Sequence, residues 1–252
     1  MTHEERVELA RDLTGRLLRR HGEDAIVAVG LHGSVARGDD GEESDLDIAV
    51  VTAGPEVEVA DRLLRYRGTV VELGAITADA YLEEAGHIGP AWPLAADQYV
   101  NHLALHDPGG FFHKLGHVQE AAVEQAGAEA FRAAAGYDLV QLISLAGKAR
   151  TAELVGDLPA ALIAVREAAV LAALVVGLHT RSAYRNLAHA VRATAVTMAA
   201  GAGFAEAYRR LLDPTVEPAA QVLALDRTLD ALLALARREG IPFETEDPDA
   251  FL

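Results

Sequence analysis

A glycine–serine turn between two apolar runs constrains this chain more than any other feature of its sequence. The first run, residues 25–31, predicts a buried β-strand, and Gly33 and Ser34 follow it closely. Asp45 and Asp47 stand at the start of the second run, which predicts another strand. Because successive side chains of a strand point to opposite faces, the two aspartates share one face. Two carboxylates held side by side repel each other strongly, and a divalent cation between them would remove that repulsion.

The residues around the turn add groups that suit a phosphate. Gly33 lets the backbone approach a ligand closely, and Ser34 offers a hydroxyl and opens a predicted short helix with free N–H groups. Arg37 lies one turn further on and can pair with a phosphate oxygen. Glu72 supplies a third carboxylate from a predicted strand, residues 69–76, where an unpaired charge is costly. An Asp-x-Asp pair alone also arises by chance, but with the third carboxylate the pattern predicts Mg²⁺ and a nucleoside triphosphate.

These motifs, in this order, resemble the nucleotidyltransferase superfamily of polymerase β-like enzymes and, more narrowly, the kanamycin nucleotidyltransferase (aminoglycoside 4′-O-nucleotidyltransferase) family. The matching segments are Gly33-Ser34-x-x-Arg37, Ser44-Asp45-Leu46-Asp47, Val71-Glu72-Leu73, Trp92-Pro93-Leu94, Asp107-Pro108-Gly109-Gly110, Ala146-Gly147-Lys148 and Gly177-Leu178-His179. The resemblance implies an α+β fold. A nucleotidyltransferase domain with a mixed sheet and helices is expected over residues 1–109, followed by a C-terminal helical bundle over residues 110–252. The sequence itself turns from strand-like to Ala- and Leu-rich helical segments at the predicted boundary.

The resemblance also implies an activity and the residues that carry it. The expected reaction moves a nucleoside monophosphate, AMP from ATP in the first instance, onto a small-molecule hydroxyl and releases pyrophosphate. An aminoglycoside-type antibiotic is the expected acceptor. The carboxylates expected to hold one or two Mg²⁺ ions are Asp45, Asp47 and Glu72. The residues expected to bind the nucleotide are Gly33, Ser34, Arg37 and Lys148. Family members form dimers with active sites between the subunits, so a homodimer with shared sites is expected.

The helix that carries Lys148 departs from the family pattern. The family uses the matching lysine on nucleotide phosphate, whereas an isolated lysine in such an apolar stretch could equally extend to solvent. Family members also have a glutamate four residues earlier, thought to be the general base, where this chain has Ser144, and Gln141 replaces an acidic residue. Serine has no useful basicity near neutral pH. The base could come from Asp138, His179 or a partner subunit, the reaction could proceed without a strong base, or the acceptor could already be ionised.

The composition narrows the class of protein. The chain has 252 residues and no cysteine, which excludes disulfides and thiolate metal sites and agrees with an expected cytoplasmic location. The charged start lacks an apolar signal core, and the longest apolar stretch, residues 168–178, is shorter than a membrane span, so no membrane association is expected. The net charge of −16 disfavours nucleic acid as a partner. It suits a polycationic acceptor, although solubility alone would also explain it.

The remaining segments predict elements of both kinds. Amphipathic or apolar patterns predict helices over residues 4–20, 55–66 and 78–85. The acidic loop, residues 38–44, is predicted to be a solvated turn, although it could also help to attract a cation. In the second half, helices are predicted near residues 111–127, 128–155, 158–179, 183–200, 203–212 and 217–238. The short loops between them predict an antiparallel bundle.

Two other functions and one other metal site stay open. The same chemistry could act on a different acceptor, such as a biosynthetic intermediate, an ionised group or a protein side chain. Alternatively, the chain could be a catalytically silent relative that binds nucleotide, although retention of three repelling carboxylates argues against that. The pairs His102 with His106 and His113 with His117 have i, i+4 spacing and could share helix faces. No third zinc ligand is evident, so ordinary histidines are expected.

Overall fold

A computed structural model describes residues 1–245 of the chain and shows an α+β fold that divides into two compact units. The first unit contains Met1–His87 and Ala95–Gln125, and the second contains Ile88–Leu94 and the residues from Ala126 onward. The strands are β1 (Ile26–His32), β2 (Leu46–Thr52), β3 (Arg62–Tyr66), β4 (Thr69–Thr77) and β5 (Leu103–His106). The helices are α1 (His3–His21), α2 (Gly33–Arg37), α3 (Ala78–Ala85), α4 (Trp92–Ala95), α5 (Asp97–Val100), α6 (Phe111–Gln125), α7 (Gly127–Leu154), α8 (Leu158–Thr180), α9 (Leu187–Thr194), α10 (Ala202–Leu212) and α11 (Pro218–Glu239).

The first unit is built on a mixed five-stranded sheet in the order β3-β4-β2-β1-β5. The β2 and β4 strands are parallel, and the other three pairs are antiparallel. Ile48 packs in a core with α1, whereas its neighbour Ala49 packs in a core with α3 and α6. Because consecutive strand residues point to opposite faces, these two cores lie on opposite faces of the sheet. The predicted helix over residues 4–20 is therefore confirmed as α1, one of the two covers of the sheet.

The predicted helix over residues 55–66 is wrong, because the second half of this segment is the edge strand β3. Tyr66 pairs with Thr69 across a two-residue turn in which Arg67 and Gly68 have φ values of 49° and 88°. Two positive φ values are typical of the tight hairpin turns that match strand twist. Pairing with β4 thus overrides the helical pattern that the sequence suggested.

The predicted division after residue 109 also needs correction, since the first unit extends to Gln125. Phe111, Phe112 and Leu115 of α6 are buried in the same core as Ala28 of β1. The helix therefore completes the first unit and does not begin the bundle. Residues 246–252 of the predicted second domain lie outside the described residues.

The second unit is helical, and α7 and α8 form its largest contact. The predicted helices of this half are confirmed except over residues 183–200, where only α9 forms a helix. Asn186 caps the start of α9, because its side chain accepts a hydrogen bond from the His189 N–H at 2.8 Å. The whole of α8, with 23 residues, is long and apolar enough to cross a membrane by length and composition alone, unlike the shorter stretch considered above. Because 67% of its most apolar window is buried in the structure, α8 has the properties of a core helix.

Candidate active site

Asp47 and Glu72 lie directly next to each other on the parallel strands β2 and β4. His32, at the end of β1, is the partner of Asp47 on its other side. Paired residues of adjacent strands project to the same face, here the face of Ala49 and of the α3–α6 core. Asp45 immediately precedes β2 and is exposed. The fold thus brings the three predicted carboxylates together at one end of β2.

The pKa of Asp47 is affected by the two neighbouring carboxylates. Burial, together with the negative charges of Asp45 and Glu72, raises the pKa of Asp47 to about 6. The positive charge of Arg37 opposes these effects. A half-buried carboxylate between two others gains most when a cation neutralises the group.

The three carboxylates are suitable ligands for magnesium, but their side chains are not arranged as a coordination site in the structure. Oxygen ligands are what Mg²⁺ prefers, and the mutual repulsion on Asp47 is the observation that fits a divalent cation. Within residues 1–245, no three His, Asp or Glu side chains converge closely enough to form a ready coordination set. Asp45, Asp47 and Glu72 are therefore the residues that could hold the ion, after adjustment of their side chains.

Gly33 packs directly against this group. Its φ is +70°, and a Cβ atom added to it would lie 2.3 Å from Oδ2 of Asp47. Only glycine fits this position, because a methyl group would displace the aspartate and the backbone conformation disfavours other residues. Ser34 follows in the five-residue helix α2, which has no side-chain hydrogen bond capping its start.

Arg37, predicted to bind phosphate, is engaged by two carboxylates. Its Nη1 donates to Oδ2 of Asp97 and its Nε donates to Oδ2 of Asp39, while Nη2 forms an ion pair with Oδ1 of Asp39 at 3.2 Å. The charge of Arg37 also acts on Asp47 and His32, lowering the pKa of both. The guanidinium is therefore part of the site, with acidic partners in the position expected for phosphate.

A cavity of about 430 Å³ adjoins the carboxylates on the same face of the sheet. Glu72 belongs to its lining, together with the exposed carboxylates of Asp61 and Glu84. Its other polar walls include His32 and Gln98. Asp61 and Glu84 could not be predicted from the sequence, because only the β3–β4 hairpin and α3 bring them to the site.

A buried aromatic and imidazole cluster supports this cavity and was also missed. The His102 ring stacks on Phe112 with centroids 4.3 Å apart, and its Nε2 lies 3.3 Å from the Tyr81 hydroxyl. Burial lowers the pKa of His102 to about 4, so the ring is neutral at physiological pH. Gly30, a glycine within an apolar strand, is the sequence feature that relates to this cluster. A Cβ atom at this position would lie 2.7 Å from the Phe112 ring. His102 precedes β5 and His106 ends it, so the two do not share a helix face, and the expectation of ordinary histidines stands for this pair.

The acidic loop before Asp45 is fixed by α1, which corrects its interpretation as a solvated turn. The side chains of Arg6 and Asp40 are each only 2% exposed, and Arg6 Nη1 donates to Asp40 at 2.9 Å. Arg6 also donates to the carbonyls of Glu42 and Ser44, at 2.6 and 3.1 Å. One arginine thus holds the loop at three points, the last of them adjacent to Asp45.

The remaining predicted residues lie on α7 in the second unit. Lys148 and Ser144 are exposed, as is Gln141. Asp138 is 3% exposed, and its Oδ2 atom has no hydrogen-bond partner. Burial raises the pKa of Asp138 to about 7. His179, the other candidate base, is half-buried, and burial lowers its pKa.

Comparisons with known proteins find similarity to nucleotidyltransferases. Residues 11–96 match the model of the nucleotidyltransferase domain family. An aminoglycoside nucleotidyltransferase (4′) from Staphylococcus aureus is 28% identical over 191 residues, which are 75% of this chain and 72% of that protein. A protein of the same description from a Bacillus species has the same identity and coverage. A nucleotidyltransferase-like protein from Exiguobacterium sibiricum shares the fold, with a TM-score of 0.56 and 13% identity over 91% of this chain and 76% of that one.

The region matched by the domain model contains the turn at Gly33 and the strands that carry Asp47 and Glu72. It ends before α7, so Lys148 lies outside it. The similarity to the aminoglycoside nucleotidyltransferases extends over three quarters of the chain. The chain therefore contains a nucleotidyltransferase domain, at residues 11–96, and is similar to the aminoglycoside nucleotidyltransferases (4′).

Proposed function

We propose that this enzyme transfers a nucleoside monophosphate, AMP from ATP in the first instance, to a hydroxyl of an aminoglycoside-type acceptor and releases pyrophosphate. The observation that carries the proposal is the position of Asp47, which lies beside Glu72, follows Asp45 and touches the turn at Gly33. Three carboxylates can bind a divalent cation, and a turn of this kind can bind phosphate. Both are needed in a reaction of a nucleoside triphosphate with a divalent cation.

Asp45, Asp47 and Glu72 would hold one or two Mg²⁺ ions. When bound, Mg²⁺ supplies positive charge that offsets the triphosphate and polarises the α-phosphate. The cationic residues Arg37 and Lys148 would stabilise the negative charge of the phosphates, and Ser34 would donate a hydrogen bond. The acceptor oxygen bonds to the α-phosphorus, the bond from that phosphorus to the bridging oxygen breaks, and pyrophosphate leaves. The hydroxyl proton passes to a base or to water.

The cavity beside Glu72 supports a cationic acceptor. Three carboxylates line it, those of Glu72, of Asp61 just before β3 and of Glu84 on α3, against one guanidinium, that of Arg62. The whole chain carries a net charge of −16. Ammonium groups of an amino sugar would be attracted over a distance and could pair with these carboxylates at contact. Uncharged alcohols would gain neither interaction.

The identity of the base bears on the acceptor. Ser144 stands where the family has its glutamate, and the side chain of Asp138 is buried, which limits its access to an acceptor. His179 has an imidazole that is neutral at physiological pH, because burial lowers its pKa. A neutral imidazole can accept a proton, so His179 stays a candidate base. The serine at position 144 and the burial of Asp138 favour one alternative function, transfer to an acceptor that is already ionised, such as a phosphate or carboxylate, which needs no base. A silent nucleotide-binding relative remains the second alternative.

We propose a homodimer in which Lys148 of one subunit serves the site of its partner, in a soluble, cytoplasmic enzyme without nucleic-acid or membrane partners. The exposure of Lys148 on α7 leaves its ammonium group available for such a role.

Pyrophosphate release from Mg·ATP tests the proposal. The wild-type enzyme is assayed with an aminoglycoside that has a 4′-hydroxyl and with an analogue that lacks it. We expect release with the first compound only, together with a product that is heavier by one adenylyl group (AMP less one water) in mass spectrometry. Release with phosphorylated or carboxylated acceptors instead would support the ionised-acceptor alternative. Binding of Mg·ATP without release on any acceptor would support the silent relative.

A further inference from the structure

The guanidinium of Arg37 is bound on two edges by two different carboxylates. On one edge, Nη1 donates to Asp97. On the other, Nε and Nη2 lie 3.3 and 3.2 Å from the two oxygens of Asp39. The second arrangement is the two-point fork by which arginine also binds a phosphate group.

The two carboxylates differ in how firmly they are held. The side chain of Asp97 is 12% exposed, and its Oδ1 accepts a hydrogen bond from Asn101 Nδ2 at 2.7 Å. Asp97 also begins α5, so its backbone is fixed. The side chain of Asp39 is 40% exposed. The residue follows Gly38, which ends α2 with a φ of +72°, and its backbone N–H donates to the Ser34 carbonyl at 3.1 Å, so its backbone is held as well and the difference lies in the exposure of the side chain. A buried, anchored partner is costly to displace, whereas an exposed one is separated from arginine easily.

We propose that Asp97 is a positioning residue that holds Arg37 toward the nucleotide phosphates, and that Asp39 occupies the phosphate-binding edge of Arg37 until the nucleotide displaces it. This inference rests on the proposed function, because it takes the nucleotide to bind at Gly33, Ser34 and Arg37. The two aspartates therefore act in opposite directions on nucleotide affinity, although both pair with the same guanidinium.

The test compares the isosteric variants Asp97→Asn and Asp39→Asn. Binding of Mg·ATP and of Mg·GTP is measured by calorimetry, and KM and kcat are measured by pyrophosphate release with a 4′-hydroxyl aminoglycoside. Asp97→Asn is expected to raise Kd and KM by about tenfold, the effect of losing a charged hydrogen bond. Asp39→Asn is expected to lower Kd and KM by about two- to fivefold, because the competing charge is removed. In both variants kcat should change less than KM.

Two further variants separate positioning from general stability. Asp97→Glu should restore part of the affinity, and Asn101→Ala, which loosens Asp97 without touching Arg37, should raise KM in the same direction as Asp97→Asn. Thermal unfolding of each variant gives the stability comparison. If Asp97→Asn lowers the melting temperature and kcat while KM for ATP stays unchanged, Asp97 has only a structural role.

The result that would contradict the proposed function differs from the result that would contradict the roles of Asp39 and Asp97. If the wild-type enzyme binds neither nucleotide, the proposed function fails and takes this inference with it. If the wild-type enzyme binds and reacts but both variants weaken binding equally, the proposed function stands and the opposing roles of Asp39 and Asp97 are overturned.

Discussion

At the scale of single residues, Gly33 is the most constrained position of the site. Two separate requirements meet there, a left-handed backbone and the absence of a side chain against Asp47. Gly38 has almost the same φ, +72°, but nothing lies within 4 Å of where its Cβ would be. The two glycines therefore separate backbone strain from displacement of the aspartate.

We expect Gly33→Ala and Gly38→Ala to lose similar stability, about 1–2 kcal/mol, from the unfavourable φ. Only Gly33→Ala should also lower kcat/KM, by about a hundredfold, because its methyl group shifts Asp47 out of position. Thermal unfolding and steady-state kinetics on both variants check this. Equal losses of activity in the two variants would show that contact with Asp47 is not what requires glycine at position 33.

Asp138 illustrates a residue whose chemistry only the structure reveals. Its pKa in the folded protein is about 7, raised from an ordinary value of 3.8 by burial. Between these two pKa values, the Asp138 carboxyl keeps its proton in the folded protein but has released it in the unfolded chain. The contribution of Asp138 to stability is therefore fully present below about pH 4 and is lost as the pH rises through about 7. The loss amounts to at most about 4 kcal/mol.

Asp138→Asn should flatten this dependence, since an amide cannot ionise. We expect the variant to match or exceed the wild-type free energy of unfolding at pH 8 and to show a smaller slope between pH 5 and 8. Chemical denaturation at a series of pH values measures both. Parallel curves for the two proteins would mean that other groups cause the wild-type slope.

At the scale of secondary-structure elements, α1 contributes to the site through one buried side chain. Arg6 binds a carboxylate and two carbonyls of the loop that leads to Asp45. Lysine has the same charge but cannot reproduce three donors in a planar fork. Arg16, also on α1, makes an exposed pair with Asp12 at 3.0 Å and provides a matched position.

Arg6→Lys is expected to cost about 2–4 kcal/mol of unfolding free energy, because buried acceptors lose their donors. Arg16→Lys should cost less than about 0.5 kcal/mol. Denaturant titration of both variants gives the comparison. A cost for Arg6→Lys as small as that for Arg16→Lys would show that the loop does not depend on this contact.

The elements also show what the sequence could and could not predict. β1, β2 and β4 were predictable because they are apolar runs with turn residues between them. β3 was not, since an edge strand that exposes Leu63 and Leu64 has no buried face to mark its period. β5 has only four residues, too few for a pattern to emerge. In each case pairing with a neighbouring strand, which the local sequence does not encode, decides the structure.

At the scale of the whole molecule, the motif residues were predictable and their surroundings were not. Asp45, Asp47, Glu72 and Gly33 could be found because their chemistry is concentrated in short segments. Asp97, Asp61 and Glu84 join the first unit's site from separate helices and a hairpin, so nothing in their own segments marks them. The acidic net charge of −16 was visible from the sequence, but which carboxylates face the cavity required the fold.

The central claim is that Asp47, with its two acidic neighbours, holds a divalent cation for nucleotidyl transfer. Mn²⁺ binding, followed by electron paramagnetic resonance in the presence of ATP, tests it together with pyrophosphate release. The variants are Asp47→Asn and, as a control with the same loss of charge on the exposed loop, Glu43→Gln. We predict that Asp47→Asn abolishes release and weakens protein-dependent Mn²⁺ binding by at least about tenfold, while Glu43→Gln behaves as the wild type. Wild-type metal binding and turnover in Asp47→Asn would contradict the account.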